Sequence, residues 1–336
     1  MKAAKFPGNR VVEIVEKPIP EIQDNEILVK VAYCGLCGSE NRIVVNGFDK
    51  CTPGHEISGT VEKCGKNARQ LGKGQPVMIY LSKFCGVCEA CQNNNTSQCS
   101  NRQGLIGWSF DGGYSEYVAV PEFMVFPLEN LSLELGVLAL DTIGTAFHGL
   151  RQAEITSDHT ALVIGCGPIG MGCISILKNH YHVKELYAAD VSTYHCNMAQ
   201  KLGATPIWVD PSDTCGSIEK VLGAKKIDRV IEVCGIDATV AAAAKFVHAG
   251  GKIAFIGEPE KALTLVRSTD WVLKDFSLIN SWYFPTREIA DNIAYIQQHQ
   301  SEVQALITDY YPIDQMTQAY AKFQSGNTGK VLIRME

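Results

Sequence analysis

The sequence predicts an α/β protein with two cores, and three observations carry that prediction. Short β-branched runs separated by Gly, Pro and Asn fill the chain up to about residue 150, and apolar strands alternating with helices follow from about residue 155. Four cysteines stand within the fifteen residues 85–99. The first pattern indicates a compact, mainly antiparallel β-domain, and the second a doubly wound parallel sheet covered on both faces. The third is a metal-ligand spacing. With 336 residues, 46% hydrophobic and 20% charged, the chain is long enough for two cores.

In the first part, residues 26–32, 56–62, 75–80 and 114–120 read as strands. A cysteine lobe at about 84–101 is inserted among them. Two-residue gaps let one turning backbone offer Cys85, Cys88 and Cys91, and a short loop returns with Cys99. Four converging thiolates suit tetrahedral zinc, and a closed shell braces a lobe without doing chemistry. Disulfides would require an oxidising compartment, yet Met1-Lys-Ala-Ala-Lys-Phe-Pro lacks the apolar core of a signal peptide. The other nine cysteines, among them Cys34, Cys64, Cys166, Cys173 and Cys234, read as small buried hydrophobes and point to a reducing cytoplasm.

The second part runs strand 160–165, helix 169–179, strand 185–190, helix 194–202, a weaker strand 206–210, strand 229–234, a helix through 241–245 and strand 252–257. A helix at 288–298 and a strand at 329–334 close the chain, and that last strand is expected to return to the first domain. The expected limits are 1–153 with 286–336 for the β-rich domain and 154–285 for the parallel sheet. A net charge of −6 with no Lys/Arg-rich run gives no electrostatic footprint for nucleic acid or an anionic membrane. The longest uncharged run, 160–177, is broken by Gly165, Gly167, Pro168, Gly170 and Gly172, so no transmembrane segment is expected.

Gly165-Cys-Gly-Pro-Ile-Gly170 fits the dinucleotide fingerprint and stands between an apolar strand and a helix, where the chemistry needs it. Gly165 permits the tight turn, Gly167 lets backbone approach the pyrophosphate, and Gly170 lets helix pack on strand. Pro168 and Ile169 open the helix whose N-terminus faces the phosphates. Asp190, twenty residues beyond Gly170, ends the next strand and is placed to accept from the ribose hydroxyls. Its charge would repel a 2′-phosphate, and residues 191–195 offer no Arg or Lys, so NAD is expected rather than NADP.

A second metal-type set is Cys37, His55 and Glu56, with Ser39 and Glu40 beside the cysteine. Alone, such a trio is common. Together with the thiolate lobe and the fingerprint, and with Asp111-Gly-Gly-Tyr-Ser-Glu-Tyr and the closing Gly329-Lys-Val in the same order, it resembles the zinc-dependent medium-chain dehydrogenase/reductase family, the alcohol, sorbitol and threonine dehydrogenase group. The likeness runs nearly end to end. It implies a GroES-like catalytic domain, a Rossmann domain, an active site in the cleft between them and two Zn2+ per chain.

By that resemblance Cys37 and His55 are ligands of a catalytic zinc. The next ligand is either Glu56 or the later acidic position matched by Asp141, and the resemblance leaves the choice open. Ser39 matches the hydroxyl that relays the substrate proton, and Glu40 stands where the family has an Asp that orients the metal-binding His. Arg42 stands where many relatives have a relay His. Cys234, Ile256 and Gly257, at the ends of two later strands, match cofactor-contacting positions. His148, His159 and His299 have no metal-ligand partner at motif spacing and read as structural or solvent-facing. Trp108 and Phe110 are candidates for the cleft wall or for core.

The implied reaction is hydride transfer between a secondary alcohol and NAD, with its ketone as product. A polyol, cyclitol or sugar derivative is the expected substrate, although residues 280–285 lack the Arg with which sorbitol-type enzymes grip a hydroxyl. A threonine-type amino-alcohol dehydrogenase and a nucleotide-binding redox sensor are the alternatives. A homodimer or homotetramer is expected by the same analogy.

Overall fold

Strand Glu26–Gly35 organises the first of two units into which the chain divides in this computed structural model, which describes residues 1–259, 261–263 and 268–335. Its Ile27, Leu28, Val29, Val31 and Cys34 are buried. It pairs antiparallel with Glu56–Cys64, Tyr117–Pro121 and Lys330–Arg334. The 7-stranded sheet then runs outward to Ile307–Pro312 on one side and through Pro76–Ile79 to Val125–Pro127 on the other. The last strand thus shares one sheet with strands of the first part of the chain. The cysteine lobe is held by one short helix, Glu89–Gln92, and a 3-10 turn, Thr96–Gln98.

The second unit is a six-stranded parallel sheet in the chain order 3-2-1-4-5-6, built from Thr160–Ile164, Glu185–Asp190, Thr205–Trp208, Ile227–Glu232, Val247–Phe255 and Ser277–Asn280. Leu162, Ile164, Val230, Ile253, Ala242 and Ala243 lie in its core. The order reverses between Thr160–Ile164 and Ile227–Glu232, the switch point where such sheets bind ligands beyond their carboxyl ends. No helix among the described residues is long and apolar enough to cross a membrane.

The first unit comprises Met1–Asp141, Phe284–Ser325 and the residues from Lys330 on; the second comprises Thr142–Tyr283 and Gly326–Gly329. The division at Asp141/Thr142 comes before helix Ala146–Gln152, which packs on helix Pro168–Asn179, whereas the sequence placed it after residue 153. Several elements were not expected from the sequence, and two show why. The hairpin Lys2–Gly8/Val11–Glu16 is interrupted by Lys2, Lys5, Glu13 and Glu16, and the edge strand Ser277–Asn280 is half polar and largely exposed, so neither shows the apolar run of an inner strand.

Candidate active site and dinucleotide site

In the lobe, Cys85 Sγ lies 4.0 Å from Cys91 Sγ and Cys88 Sγ lies 3.9 Å from Cys99 Sγ. A disulfide needs about 2.05 Å. A tetrahedron with Zn–S bonds of ~2.3 Å has edges of about 3.8 Å, so the four sulfurs fit one zinc ion. The Cys85 N–H donates to Cys99 Sγ and the Cys88 N–H to Cys85 Sγ, both at 3.3 Å. Backbone N–H groups also draw the Cys88 thiol down to about 5, toward the thiolate that a metal requires.

The second cluster brings together Cys37, His55, Glu56 and Asp141, all within the first unit. Cys37 follows strand Glu26–Gly35, and His55 immediately precedes its partner strand Glu56–Cys64, so the sheet sets both. Asp141 arrives by a π-helical turn, Asp141–Thr145, a form of helix often found at functional sites. Its Oδ2 lies 3.4 Å from His55 Nε2 and 3.6 Å from Cys37 Sγ. Tetrahedral zinc with bonds of ~2.0–2.3 Å to N, O and S gives edges of about 3.4 and 3.6 Å. Asp141 Oδ1 is buried without a hydrogen-bond partner, an orphan that a bound cation would satisfy electrostatically. Burial pushes the Asp141 carboxyl up, but the hydrogen bond and charge of His55 outweigh it and hold the group below its usual range.

Glu56 is engaged elsewhere. Lys330 Nζ donates to both of its oxygens, at 2.6 and 2.7 Å, and to the Leu36 carbonyl at 3.2 Å. Burial works against the Lys330 cation, yet Glu56 outweighs it and raises the Lys330 pKa. Two-point contact at these distances is the geometry of an ion pair. Asp141 therefore turns Oδ2 toward Cys37 and His55, while the Glu56 carboxylate is held by lysine.

Behind the imidazole, Glu40 Oε1 lies 2.9 Å from His55 Nδ1, while its Oε2 accepts from Tyr114 OH at 2.5 Å and Tyr320 OH at 2.8 Å. Glu40, Tyr114 and Tyr320 are 0%, 0% and 1% exposed. A carboxylate on Nδ1 keeps the proton there and leaves Nε2 free for a metal. Burial disfavours the charged ring, but Glu40 and Asp141 outweigh it, and the His55 pKa is raised well above its ordinary value. Ser39 Oγ donates to Cys37 Sγ at 3.3 Å. Trp108 stands beside the metal site, its ring 6.0 Å from that of His55, with the Arg42 guanidinium 5.0 Å over the indole. Phe110 instead meets Lys83. Tyr320 had no sequence signal, and Tyr114 and Lys330 lay in motifs given no role at the site: the three reach their partners Glu40, Glu40 and Glu56 from 280, 74 and 274 residues away.

In the second unit, Gly165 has φ +96°, and a Cβ on Gly170 would stand 1.9 Å from the Gly165 carbonyl oxygen. Among the described residues, nothing lies within 4 Å of where a Cβ on Gly167 would point. This open space at the start of helix Pro168–Asn179 suits a pyrophosphate against backbone N–H groups. Asp190 Oδ2 accepts from the Cys166 N–H of the glycine turn at 2.6 Å, and Oδ1 from the Ser192 N–H at 2.7 Å. Cys234 Sγ covers the Gly165 turn, and Gly257 lets the loops after two strands touch through backbone. Ile256 turns its side chain onto Gly149 and is 8% exposed, so that side chain packs in the unit's interior. His148 pairs with Gln152 and His159 with the backbone N–H of Thr156, outside either cysteine cluster, and His299 stacks on Tyr295.

Two family descriptions match the chain: "Alcohol dehydrogenase GroES-like domain" over residues 23–130 and "Zinc-binding dehydrogenase" over residues 168–298. This chain belongs to the zinc-dependent medium-chain dehydrogenase/reductase family. The dehydrogenase is 27% identical to an L-threonine 3-dehydrogenase of Caldanaerobacter subterraneus subsp. tengcongensis, over 96% of this chain and 94% of that protein. It resembles the crystal structure of galactitol-1-phosphate dehydrogenase from Escherichia coli with a TM-score of 0.87 at 25% identity, covering 99% and 100% of the two chains. Alcohol dehydrogenase TADH from Thermus sp. ATN1 shares the fold with a TM-score of 0.92 at 24% identity, each chain covered in full. The dehydrogenase is thus an α/β enzyme with a GroES-like and a Rossmann-like part, as its motifs implied.

Proposed function

We propose that this dehydrogenase interconverts a secondary alcohol of the polyol, cyclitol or sugar-derivative class and its ketone, with Cys37, His55 and Asp141 holding a catalytic zinc and Cys85, Cys88, Cys91 and Cys99 a structural one. The observation that carries the reading is the Cys37, His55 and Asp141 cluster, in which both distances from Asp141 Oδ2 match the edges of a tetrahedral zinc site. When bound, zinc supplies Lewis acidity that makes a substrate hydroxyl easier to deprotonate, and NAD supplies the hydride acceptor.

Glu40 keeps the His55 proton on Nδ1, and so holds Nε2 as a donor of electrons rather than of a proton. Ser39, whose hydroxyl already touches Cys37 Sγ, takes the substrate proton and passes it outward. Lys330 neutralises Glu56 so that a second carboxylate does not compete for the open side. In the other unit, Gly165, Gly167 and Gly170 shape the pyrophosphate cradle, Pro168 and Ile169 begin the helix above it, and Asp190 takes the ribose hydroxyls. The relative galactitol-1-phosphate dehydrogenase is named for a sugar-alcohol phosphate, a member of this substrate class. Threonine-type chemistry is the second reading, supported by the match to L-threonine 3-dehydrogenases along nearly the whole chain. Thirteen cysteines, none of them in a disulfide, suit the cytoplasm, and a homodimer or homotetramer is the assembly proposed.

The test is metal analysis followed by a substrate panel with NAD: galactitol 1-phosphate, sorbitol, inositols, L-threonine and simple alcohols. Two zinc per chain, turnover of a polyol-type alcohol and loss of turnover in Cys37→Ser with NADH binding retained support the proposal. A single zinc, or full activity in Cys37→Ser, refutes zinc catalysis, and preference for L-threonine installs the second reading.

A further inference from the structure

The end of strand Glu185–Asp190 carries a charge pair that the dinucleotide reading does not use. Asp190 Oδ1 lies 3.3 Å from His195 Nδ1, and the other ring nitrogen, Nε2, lies 3.0 Å from the Thr328 carbonyl oxygen. Carboxylate and carbonyl are both acceptors. A neutral imidazole has one N–H and satisfies one of them, whereas the imidazolium satisfies both. The two side chains are only 13% and 10% exposed, so salt screens the pair weakly.

The ring is fixed in place. His195 lies in the first turn of helix Thr193–Lys201, its N–H donating to Ser192 Oγ, and Ser192 Oγ donates to the Gly326 carbonyl at 2.7 Å. Segment 326–329 is therefore tied to this helix at two points, one of them the imidazole itself, and all of these groups belong to the second unit.

An aspartate alone at the ribose end rejects a 2′-phosphate by charge. This aspartate comes with a cation, and while the ring is protonated the pair is neutral overall. We propose that His195 sets the choice between the 2′-hydroxyl and 2′-phosphate forms of the dinucleotide, admitting the phosphorylated form while its ring is charged and excluding it once the ring is neutral. The proposal rests on the reading of Asp190 as the ribose acceptor, and it replaces the sequence-based exclusion of NADP with one conditional on pH.

The facing groups leave the titration to this pair. Cys166 approaches Asp190 from the glycine turn, Cys234 from the loop after Ile227–Glu232, and Cys196 from the same helix as His195. Burial, and after it the nearby Asp190 charge for Cys166 and Cys196, raises these thiols, Cys196 to about 11, so they stay neutral. Tyr194 stands beside the ring at 6.1 Å, and Thr328 contributes only its carbonyl. Burial pulls the His195 pKa down, but Asp190 and Thr328 outweigh it and raise it above its ordinary value.

The experiment measures dissociation constants of NADH and NADPH by fluorescence titration of the zinc-loaded protein from pH 6 to pH 9, for wild type, His195→Gln and His195→Lys. The expected wild-type ratio of NADPH to NADH constants rises about tenfold across this range, a modest charge–charge coupling near a protein surface. His195→Gln holds the ratio high at every pH, and His195→Lys holds it low. Ionisation of the 2′-phosphate is common to all three proteins and drops out of the comparison between them. A flat wild-type ratio, or the same rise in His195→Gln, overturns the proposal while NADH binding shows the site intact. Loss of NADH binding in the wild type instead overturns the ribose assignment and this proposal with it.

Discussion

Lys330 Nζ lies 2.6 and 2.7 Å from the two carboxylate oxygens of Glu56, and the two side chains are 1% and 0% exposed. A lysine from the last strand thus neutralises a carboxylate adjacent in sequence to His55, a proposed zinc ligand. Breaking a buried ion pair from one side strands the other charge. Lys330→Met is expected to destabilise the first unit by about 3–5 kcal/mol, and Lys330→Met/Glu56→Leu to recover most of that loss. Urea unfolding of the two variants checks it; equal losses would mean the pair contributes little.

The same ion pair supports the proposed choice of Asp141 over Glu56 as zinc ligand. Asp141→Asn is expected to lower zinc from two per chain toward one, with the ion of the lobe retained, while Glu56→Gln keeps two. Metal analysis after gel filtration decides, and the reverse pattern would move the ligand role to Glu56.

Gly167 and Gly170 are close in sequence and opposite in what they tolerate. Gly167 has φ −65° and open space where a Cβ would stand, so Gly167→Ala is expected to leave the Tm unchanged and to weaken NADH binding. Gly170→Ala drives a methyl group to 1.9 Å from the Gly165 carbonyl and is expected to cost about 1–3 kcal/mol or more. Calorimetry with NADH titration of both variants tests the pair.

Tyr320→Phe removes one of the hydroxyl donors on Glu40 Oε2. A lost hydrogen bond to a buried charge is worth about 1.5–3 kcal/mol, and disturbed support of a metal-binding His typically lowers affinity about 10–100-fold. Chelator competition for zinc is expected to show weaker binding at one of two sites. Unchanged affinity with lowered stability would make the tyrosine a packing residue only.

The Asp190–His195 pair has a defined pH window. The Asp190 pKa is lowered: burial opposes this, but His195 and two backbone N–H groups outweigh it. Its contribution is therefore present above its ordinary 3.8 and lost as pH falls through the lower folded value. The His195 pKa is raised, so its contribution is complete below 6.5 and fades as pH rises through the higher folded value. The stability gap between wild type and His195→Gln is expected to be widest at about pH 4–6.5 and to narrow above. Chemical denaturation at pH 5.5 and pH 9 checks the sign, and a gap that widens toward pH 9 would contradict it.

The sequence by itself determined what depends on near neighbours along the chain. The lobe ligands lie within fifteen residues, the fingerprint within six, and the alternation of strand and helix is local, so each was legible without coordinates. Cys37, Ser39 and His55 were also legible, as short motifs in a recognisable order.

Only the tertiary structure decided how those motifs are completed. Asp141 reaches Cys37 from 104 residues away, Lys330 reaches Glu56 from 274, and Tyr320 reaches Glu40 from 280. His195 meets Thr328 across 133. Ion pairs and hydrogen bonds act over a few ångströms of space and have no periodicity along the chain, so their partners exist as partners only after the sheets have brought them together.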